Sequence, residues 1–437
     1  MAKKLNKQLN YIIKIIMKTY ILFLFFIIII VNSLYAQEIS LQFCYEKAIS
    51  CSPYQKLKPL YVEQANIEMS VTNKTYFPQF SLDGSATYQS EVFKIPVNIP
   101  GFSMPEIPYD QYQLSLTINQ TIYDGGSGSA AKYKAIASRE VNIKNVDVSL
   151  YKLKEQVNQL YFSVLVLQEN EKLQNIVLND LENKAKQLES LVKNGVILKA
   201  TLNKINIEIL KIQQSIAIIQ SDIKGVLSVL SKLIDYDLTY AHFQIPDIPE
   251  ISYEDSINRE EIEFLELRKK ELEKSKEILS TQLLPKVSAF VRGGWGQPNP
   301  MNIFETGFEP FYIAGLKLQW TPFDWNCIAL KKDNITINQL IVDTDKENFE
   351  KNLRMAIEKE KSDIIKYSQL LKTDEAIIKS QKEIADVAYS QLMNGAITAT
   401  EYIIEMDELI KAQQNFEMHK LQLIFSRINL LNKQGLY

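Results

Sequence analysis

The sequence is poor in residues that interrupt long elements. Only 14 Gly and 14 Pro occur in 437 residues, few for a compact globule of that length, and long unbroken elements suit it better. It also lacks an excess of one charge. The formal net charge is -3, and Lys and Arg alternate with Asp and Glu as they do on solvated helix faces, so there is no basic stripe to hold nucleic acid. Histidine is almost absent: His242 and His419 lie far apart, with no Cys, Asp or Glu at metal-ligand spacing. Cys44, Cys51 and Cys327 form no CxxC or Cys/His pattern, and a seven-residue helical spacing sets Cys44 and Cys51 ~10 Å apart, too far for a direct bridge. No Ser or Cys sits in a nucleophile motif, and "DGGSG" at 124 to 128 lacks the Lys of a phosphate-binding loop. These absences exclude catalysis and call for no metal and no cofactor.

The first 36 residues hold five Lys, no acid and a 12-residue apolar run from Tyr20 to Val31 that ends at "NSLYAQ". That run is short of the ~20 residues a spanning helix needs, and residues 1–36 read as a secretory signal cut after Ala36. Met17, followed by Lys18, is a second candidate start beside Met1. The residues before Cys44, "SLQF", lack the small side chains of a lipoprotein cleavage site.

Beyond residue 36 the chain repeats itself. "TIYDGGSGSAAKYKA" begins at Thr121 and "TPFDWNCIALKKDN" at Thr321, which sets Asp124 opposite Asp324; "LVKNGVILKAT" and "QLMNGAITAT" set Asn194 and Gly195 opposite Asn394 and Gly395. The offset is 200 at both landmarks, while Pro78 and Pro285 stand 207 apart, a difference that a loop absorbs. The first repeat is expected over 37–236, a linker over 237–257 and the second repeat over 258–437. Each repeat reads as helix, strand, loop, strand, very long helix, Asn-Gly turn, helix.

In the first long helix, apolar residues step alternately by four and three from Val146 to Val192, interrupted only by Glu171 and Gln174; the seam resumes from Leu202 to Leu233. Ile364, Tyr367, Leu371, Ile378, Ala385, Ala388 and Leu392 keep the same register 200 residues later. This is coiled-coil patterning. A helix from about 128 to 192 would be ~95 Å long, which no ordinary globular core requires. Small residues at 185, 385 and 388 lead to the expectation that the half toward the turns packs less tightly.

"QYQLSLTIN" alternates as a strand should. Tyr112, Leu114, Leu116 and Ile118 share one face and Gln113, Ser115, Thr117 and Asn119 the other; Tyr312, Ala314, Leu316, Leu318 and Trp320 alternate likewise with Gly315, Lys317, Gln319 and Thr321. Partner strands start after Pro78 and Pro285, so each repeat supplies one hairpin. Such alternation, with aromatics near strand ends, fits either a half-buried soluble sheet or an outer-membrane barrel. Four strands cannot close a barrel, and lipid tolerates no open edge, so in the second case several chains must pool their strands.

Taken in order, "SLQFCYEKAISCSP", "YFPQF", "LSLTINQTIYDGG", "NGVILKAT", "NREEIEFLE", "LLPKVSAF", "LKLQWTPFDW" and "MNGAITATEYI" resemble the TolC family of outer-membrane efflux proteins over nearly all of the chain beyond the signal. The resemblance implies a mainly α fold with a small antiparallel β part: a tunnel of very long coiled-coil helices below a 12-stranded transmembrane barrel to which each copy of a homotrimer gives four strands. It implies an outer-membrane location with a long periplasmic extension in a Gram-negative-type envelope. It also implies a periplasmic adaptor and an inner-membrane pump, proton-driven or ABC type, as partners.

By the same resemblance, the turns at Asn194, Gly195, Asn394 and Gly395 meet the adaptor. Glu401 stands where an acidic residue rings the narrow end, and Ile404 where a second acid can occur. From the strand alternation, Tyr112, Leu114, Leu116, Leu316, Leu318 and Trp320 are candidates to face lipid, with Tyr112, Trp295 and Trp320 at its interface, and a packed equatorial position also suits Trp320. Asp124, Gly125, Gly126 and Asp324 mark the strand-to-helix junctions, where the aspartates fit helix caps or ion ligands. Trp325 and Asn326 replace a Gly pair at the second junction, which leads to the expectation that this corner turns differently. A reading from another class remains: a secreted structural or adhesive coiled coil with a small soluble sheet.

Overall fold

A computed structural model describes residues 38–93, 106–239, 241–247, 257–302 and 304–436. The proposed signal at 1–36, the choice between Met1 and Met17, much of the proposed linker and the centre of the first hairpin loop lie outside them. The elements run β1 (Glu38–Ile39), α1 (Leu41–Cys51), a 3-10 turn (Pro53–Lys56), α2 (Leu57–Lys74), β2 (Gln79–Tyr88), β3 (Asp110–Tyr123), α3 (Ser127–Lys193) and α4 (Lys199–Ile234). They continue as β4 (His242–Phe243), α5 (Glu260–Thr281), β5 (Lys286–Gln297), β6 (Glu309–Gln319), α6 (Cys327–Met393) and α7 (Ala399–Gln434).

The duplication is visible in the helix bounds. Both α3 and α6 have 67 residues and both α4 and α7 have 36, each pair displaced by 200 positions. At 1.5 Å per residue the longer helices reach ~100 Å. They extend so far because proline is absent from both, and the only glycine in either is Gly128, in the first turn of α3.

Two compact units emerge, each drawing on both repeats. One comprises Pro53–Tyr151 and Ile257–Ala356; the other takes the described residues within Met1–Ser52, Lys152–Ser256 and Ile357–Tyr437. The first holds the four-stranded antiparallel sheet, ordered β2-β3-β5-β6.

The second unit has two apolar cores. One gathers Val157, Tyr161 and Val164 of α3 with Leu230 and Ile234 of α4 and Leu421 and Ile428 of α7. The other gathers Leu181 and Leu188 with Ile205 and Ile212, Ala388 and Leu392 of α6, and Tyr402 and Met406 of α7. Glu171 and Gln174, which interrupt the seam, fall between them. There Gln220 donates to Glu171 Oε1 at 2.7 Å and Gln414 to Asn170 Oδ1 at 3.1 Å. A polar belt thus divides the column, because a carboxylate and a carboxamide need partners that an apolar seam cannot give. Toward the turns Leu181, Leu188, Ile205 and Tyr402 are fully buried, while Leu178, Ala185, Leu191 and Leu202 are partly buried. The Tyr402 ring of α7 is buried in the same cluster as Ala388 of α6.

Candidate functional site

The sheet separates its two kinds of side chain by the period of two that pleating imposes. Phe80 faces Ile118, Leu82 faces Leu116, Leu116 faces Gly293 and Ala289 faces Leu316 across neighbouring strands, all on one side. Tyr112, Leu114 and Leu116 are about 45% exposed, and Leu316, Leu318 and Trp320 are 57–72% exposed, so this apolar face has no cover among the described residues. The opposite face carries Ser81, Gln113, Ser115, Thr117, Arg292 and Lys317; Ser115 and Thr117 are buried, and Arg292 Nε donates to Thr117 Oγ1 at 3.1 Å. Trp295 lies opposite Leu114 near the loop end. Trp320 lies just past β6, where its indole N–H donates to the Leu283 carbonyl at 3.0 Å. Among the described residues, strands β2 and β6 have one neighbour each. An uncovered apolar face together with two open edges would invite aggregation in water.

At the first junction Asp124 accepts the Gly126 amide on Oδ1 at 2.9 Å and the Gly128 amide on Oδ2 at 2.6 Å, and Tyr76 Oη donates to Oδ2 at 2.6 Å. Burial works to raise its pKa, but the Tyr76 hydroxyl and the Gly128 and Gly126 amides hold the carboxyl below the ordinary value of 3.8. The same hydrogen bond from the other side pushes Tyr76 up to about 12. Gly125 and Gly126 take φ of 73° and 81°.

At the second junction Asp324 Oδ2 accepts the Ile328 amide at 2.7 Å. Here the expectation of a different corner fails: Trp325 and Asn326 adopt φ of 56° and 61°, the same left-handed path without glycine. Positive φ at a tryptophan costs ~1–3 kcal/mol and persists only where surroundings fix the turn. Here a capped 67-residue helix at one end and a strand at the other do so.

Both Asn-Gly turns close alike. The Gly195 amide bonds to the Val192 carbonyl and the Val196 amide to Leu191; Gly395 and Ala396 repeat this with Leu392 and Gln391. Gly195 and Gly395 have φ of 71° and 72°, the left-handed helix ending that glycine adopts most cheaply. Asn394 Nδ2 donates to the Ser390 carbonyl at 2.9 Å.

Glu401 is bound into the helix end. Its carboxylate accepts the Thr398 amide at 2.7 Å while Thr398 Oγ1 accepts the Glu401 amide at 3.3 Å, a reciprocal capping box. Those bonds from Thr398 hold its pKa below 4.5. The side chain remains exposed on a groove of about 580 Å³ that also includes Glu383, Glu405, Ile384 and Ile397. Ile404 is exposed beside it. Thr201 occupies the equivalent position in the first repeat, and the N-cap there, Leu198, offers no side-chain bond. "TATE" at 398 to 401 spells the capping box in the sequence.

The sequence reading missed a polar hub near these turns. Lys184 donates to Asp180 Oδ2 at 2.7 Å and to the Tyr402 hydroxyl at 2.8 Å, with its ammonium 4.7 Å from the Tyr389 ring centroid and 5.3 Å from that of Tyr402. Tyr389 Oη in turn donates to Gln187 Oε1. Burial lowers the Lys184 pKa, but Asp180 and Tyr402 more than offset it, for a net rise. Two helix pairs of one chain are thereby joined by charge as well as by apolar packing.

Among the described residues no group of three or more His, Cys, Asp or Glu is placed to hold a metal ion. Nor is any described helix long and apolar enough to cross a membrane, which has no bearing on a β-barrel.

Comparison with known proteins agrees with this geometry. Residues 57–233 match the family model described as outer membrane efflux protein. No curated protein sequence matches the chain. Among solved structures, the outer membrane protein VceC of Vibrio cholerae is similar at 15% identity and a TM-score of 0.66, over 90% of this chain and 96% of that one. The CmeC outer membrane channel of Campylobacter jejuni is similar at 15% identity and a TM-score of 0.65, over 90% and 85%. The open state of the MtrE outer membrane channel of Neisseria gonorrhoeae is similar at 13% identity and a TM-score of 0.62, over 90% and 88%. At such identities the likeness shows the fold: long helices with a small antiparallel sheet, as in TolC-like channels.

Proposed function

We propose that this chain, whose residues 57–233 match the family model described as outer membrane efflux protein, is the exit duct of a three-part export system. Three copies pool their hairpins into a 12-stranded barrel whose apolar side meets outer-membrane lipid. The long helices continue into the periplasm. A periplasmic adaptor engages the turns at Asn194, Gly195, Asn394 and Gly395, and an inner-membrane pump, proton-driven or ABC type, supplies the energy.

One observation carries the reading. An antiparallel sheet with its apolar face uncovered and both edges unpaired is stable neither in water nor, as a single copy, in lipid. Copies with an even number of antiparallel strands restore alternation when joined edge to edge, and lipid covers the rest. The small soluble sheet of a secreted coiled coil would leave Leu316, Leu318 and Tyr312 wet, which makes it the weaker reading.

In this proposal Glu401 faces the narrow end of the duct, and the resting tip is held shut by the Lys184 hub and its surrounding core. Adaptor binding widens it by exchanging one packing of the helix pairs for another. Purification from membranes and planar-bilayer recording provide the test. A detergent-soluble trimer with a low resting conductance is expected. A monomer extracted in aqueous buffer would rule the duct out.

A further inference from the structure

The two hairpins obey an internal symmetry that a single chain leaves unfinished. Gln79 pairs with Asn119 and Tyr88 with Asp110 in the first hairpin; Lys286 pairs with Gln319 and Trp295 with Pro310 in the second. The leading strand has moved by 207 positions and the following strand by 200, with register unchanged. The seam of β3 on β5 therefore records how the end of one repeat meets the start of the next. β6 and β2 are another such end and start, and they lie at opposite edges of the sheet. Within one chain they cannot meet.

The same offsets applied to the β3–β5 register specify the missing seam. Leu116 with Gly293 becomes Leu316 with Ala86, Ile118 with Val291 becomes Leu318 with Gly84, and Thr117 with Arg292 becomes Lys317 with Ser85. Apolar positions remain on the apolar face and polar positions on the other, as a half-wet sheet requires.

The junctions extend the relation beyond the strands. A Cβ on Gly125 would lie 2.9 Å from Leu284 Cβ and 3.1 Å from the Thr281 carbonyl. The offsets carry Gly125 to Trp325 and Leu284 to Phe77. In the single chain these two aromatics are 84% and 62% exposed, and Trp325 rests edge-on against Phe323 at 4.8 Å between centroids.

We propose that β6 of one copy pairs with β2 of the next in this register, and that Trp325 covers the next copy's Phe77. The inference rests on the shared barrel proposed above and assigns its seam. Gly125 tolerates the close approach within a chain because it has no Cβ. Trp325 has one, so the seam between copies must stand wider at this point, near the ~4 Å of ordinary apolar contact, and the indole fills the added width.

Disulfide trapping in the otherwise full mature protein tests it, with Cys44, Cys51 and Cys327 replaced by Ala. Two pairs are introduced, F77C with W325C and S85C with K317C. After mild oxidation both should move the monomer band into covalent dimers and trimers that dithiothreitol reverses. The displaced pairs D83C with K317C and T87C with K317C should remain monomeric on the gel, since diagonal positions lie ~7–8 Å apart, at or beyond the limit for a disulfide. The S85C and K317C pair leaves the junction intact, and it decides the register even if W325C impairs assembly. A detergent-soluble trimer that links at a displaced pair, or at none, overturns the seam while the shared barrel stands. A protein that is monomeric by mass in detergent overturns both.

Discussion

Lys184 on α3 and Tyr402 on α7 lie 218 residues apart in sequence, and their side chains meet at 2.8 Å. A half-buried ammonium keeps its charge there because Asp180 and two tyrosine rings replace the water it has lost. The contact joins residues of both repeats.

Tyr402→Phe should keep the apolar volume but remove one hydrogen bond to a charged partner, a loss of ~1.5–3 kcal/mol. Tyr402→Ala should cost ~3–5 kcal/mol through the cavity it opens. Denaturant melts of the detergent-solubilised protein measure both. In planar bilayers Tyr402→Phe should show a larger resting conductance, and an unchanged trace would remove the hub from the closed state. Because the folded Lys184 pKa is raised above 10.5, its contribution is fully present below that pH and is lost as pH rises through the folded value.

Asp124→Ala should cost ~0.5–2 kcal/mol as a lost helix cap. The sign of the pH dependence follows from two shifts. The folded Asp124 pKa lies below 3.8, so its contribution is present above that pH and disappears as pH falls through the folded value. Tyr76, with an ordinary value of 10.0 and a folded one of about 12, contributes below pH 10 and ceases to do so as pH rises through about 12. In Tyr76→Phe the alkaline loss should vanish from a plot of melting temperature against pH, and the acid loss should shrink.

Gly395→Ala meets no atom within 4 Å but must hold φ near 72°, a strain of ~1–2 kcal/mol for an L side chain. Gly125→Ala bears that strain plus a clash with Leu284 and the Thr281 carbonyl, and should be the more destabilising of the two. Paired thermal melts in one detergent will rank them.

Glu401→Gln separates two roles that share one side chain. Glutamine retains the acceptor that the capping box needs, so the melting temperature should hardly move. If the carboxylate faces the duct as proposed, reversal potentials in asymmetric KCl should fall toward equal permeability for cation and anion. Thr398→Ala should do the opposite, costing ~0.5–2 kcal/mol of stability with selectivity unchanged.

Leu316→Arg places a charge on the uncovered face of the sheet and should cost ~2–4 kcal/mol if that position sits at mid-membrane. Yield of folded protein in lipid measures it, with Ser115→Thr on the opposite face as a mild control.

Much of this molecule is written locally. Apolar spacing and the scarcity of proline set the first long helix to within a residue, and the duplication offset of 200 positions carried over to the second, because helical periodicity depends on neighbours three and four places away. Strand alternation set the two faces of the sheet for the same reason, and the glycines at 195 and 395 marked turns that require a left-handed residue. Junction details were less legible. Asp124 gave a cap signal, but the need for Gly128 comes from the Tyr76 ring, whose hydroxyl a Cβ there would approach to 2.5 Å across 52 positions of chain.

What the sequence alone determined were the elements, their lengths, their repetition and the polarity of each face, since all of these follow from short-range backbone geometry. Only the tertiary structure decided that Lys184 serves Tyr402, that His419 Nδ1 lies 2.7 Å from Asp374 Oδ2, that Tyr402 is buried in one cluster with Ala388 of another helix, and that Trp325 follows a path usually left to glycine. Each is a meeting of groups distant in the chain or a backbone state imposed from both sides. Desolvation and packing select such outcomes only after the helices and strands are in place.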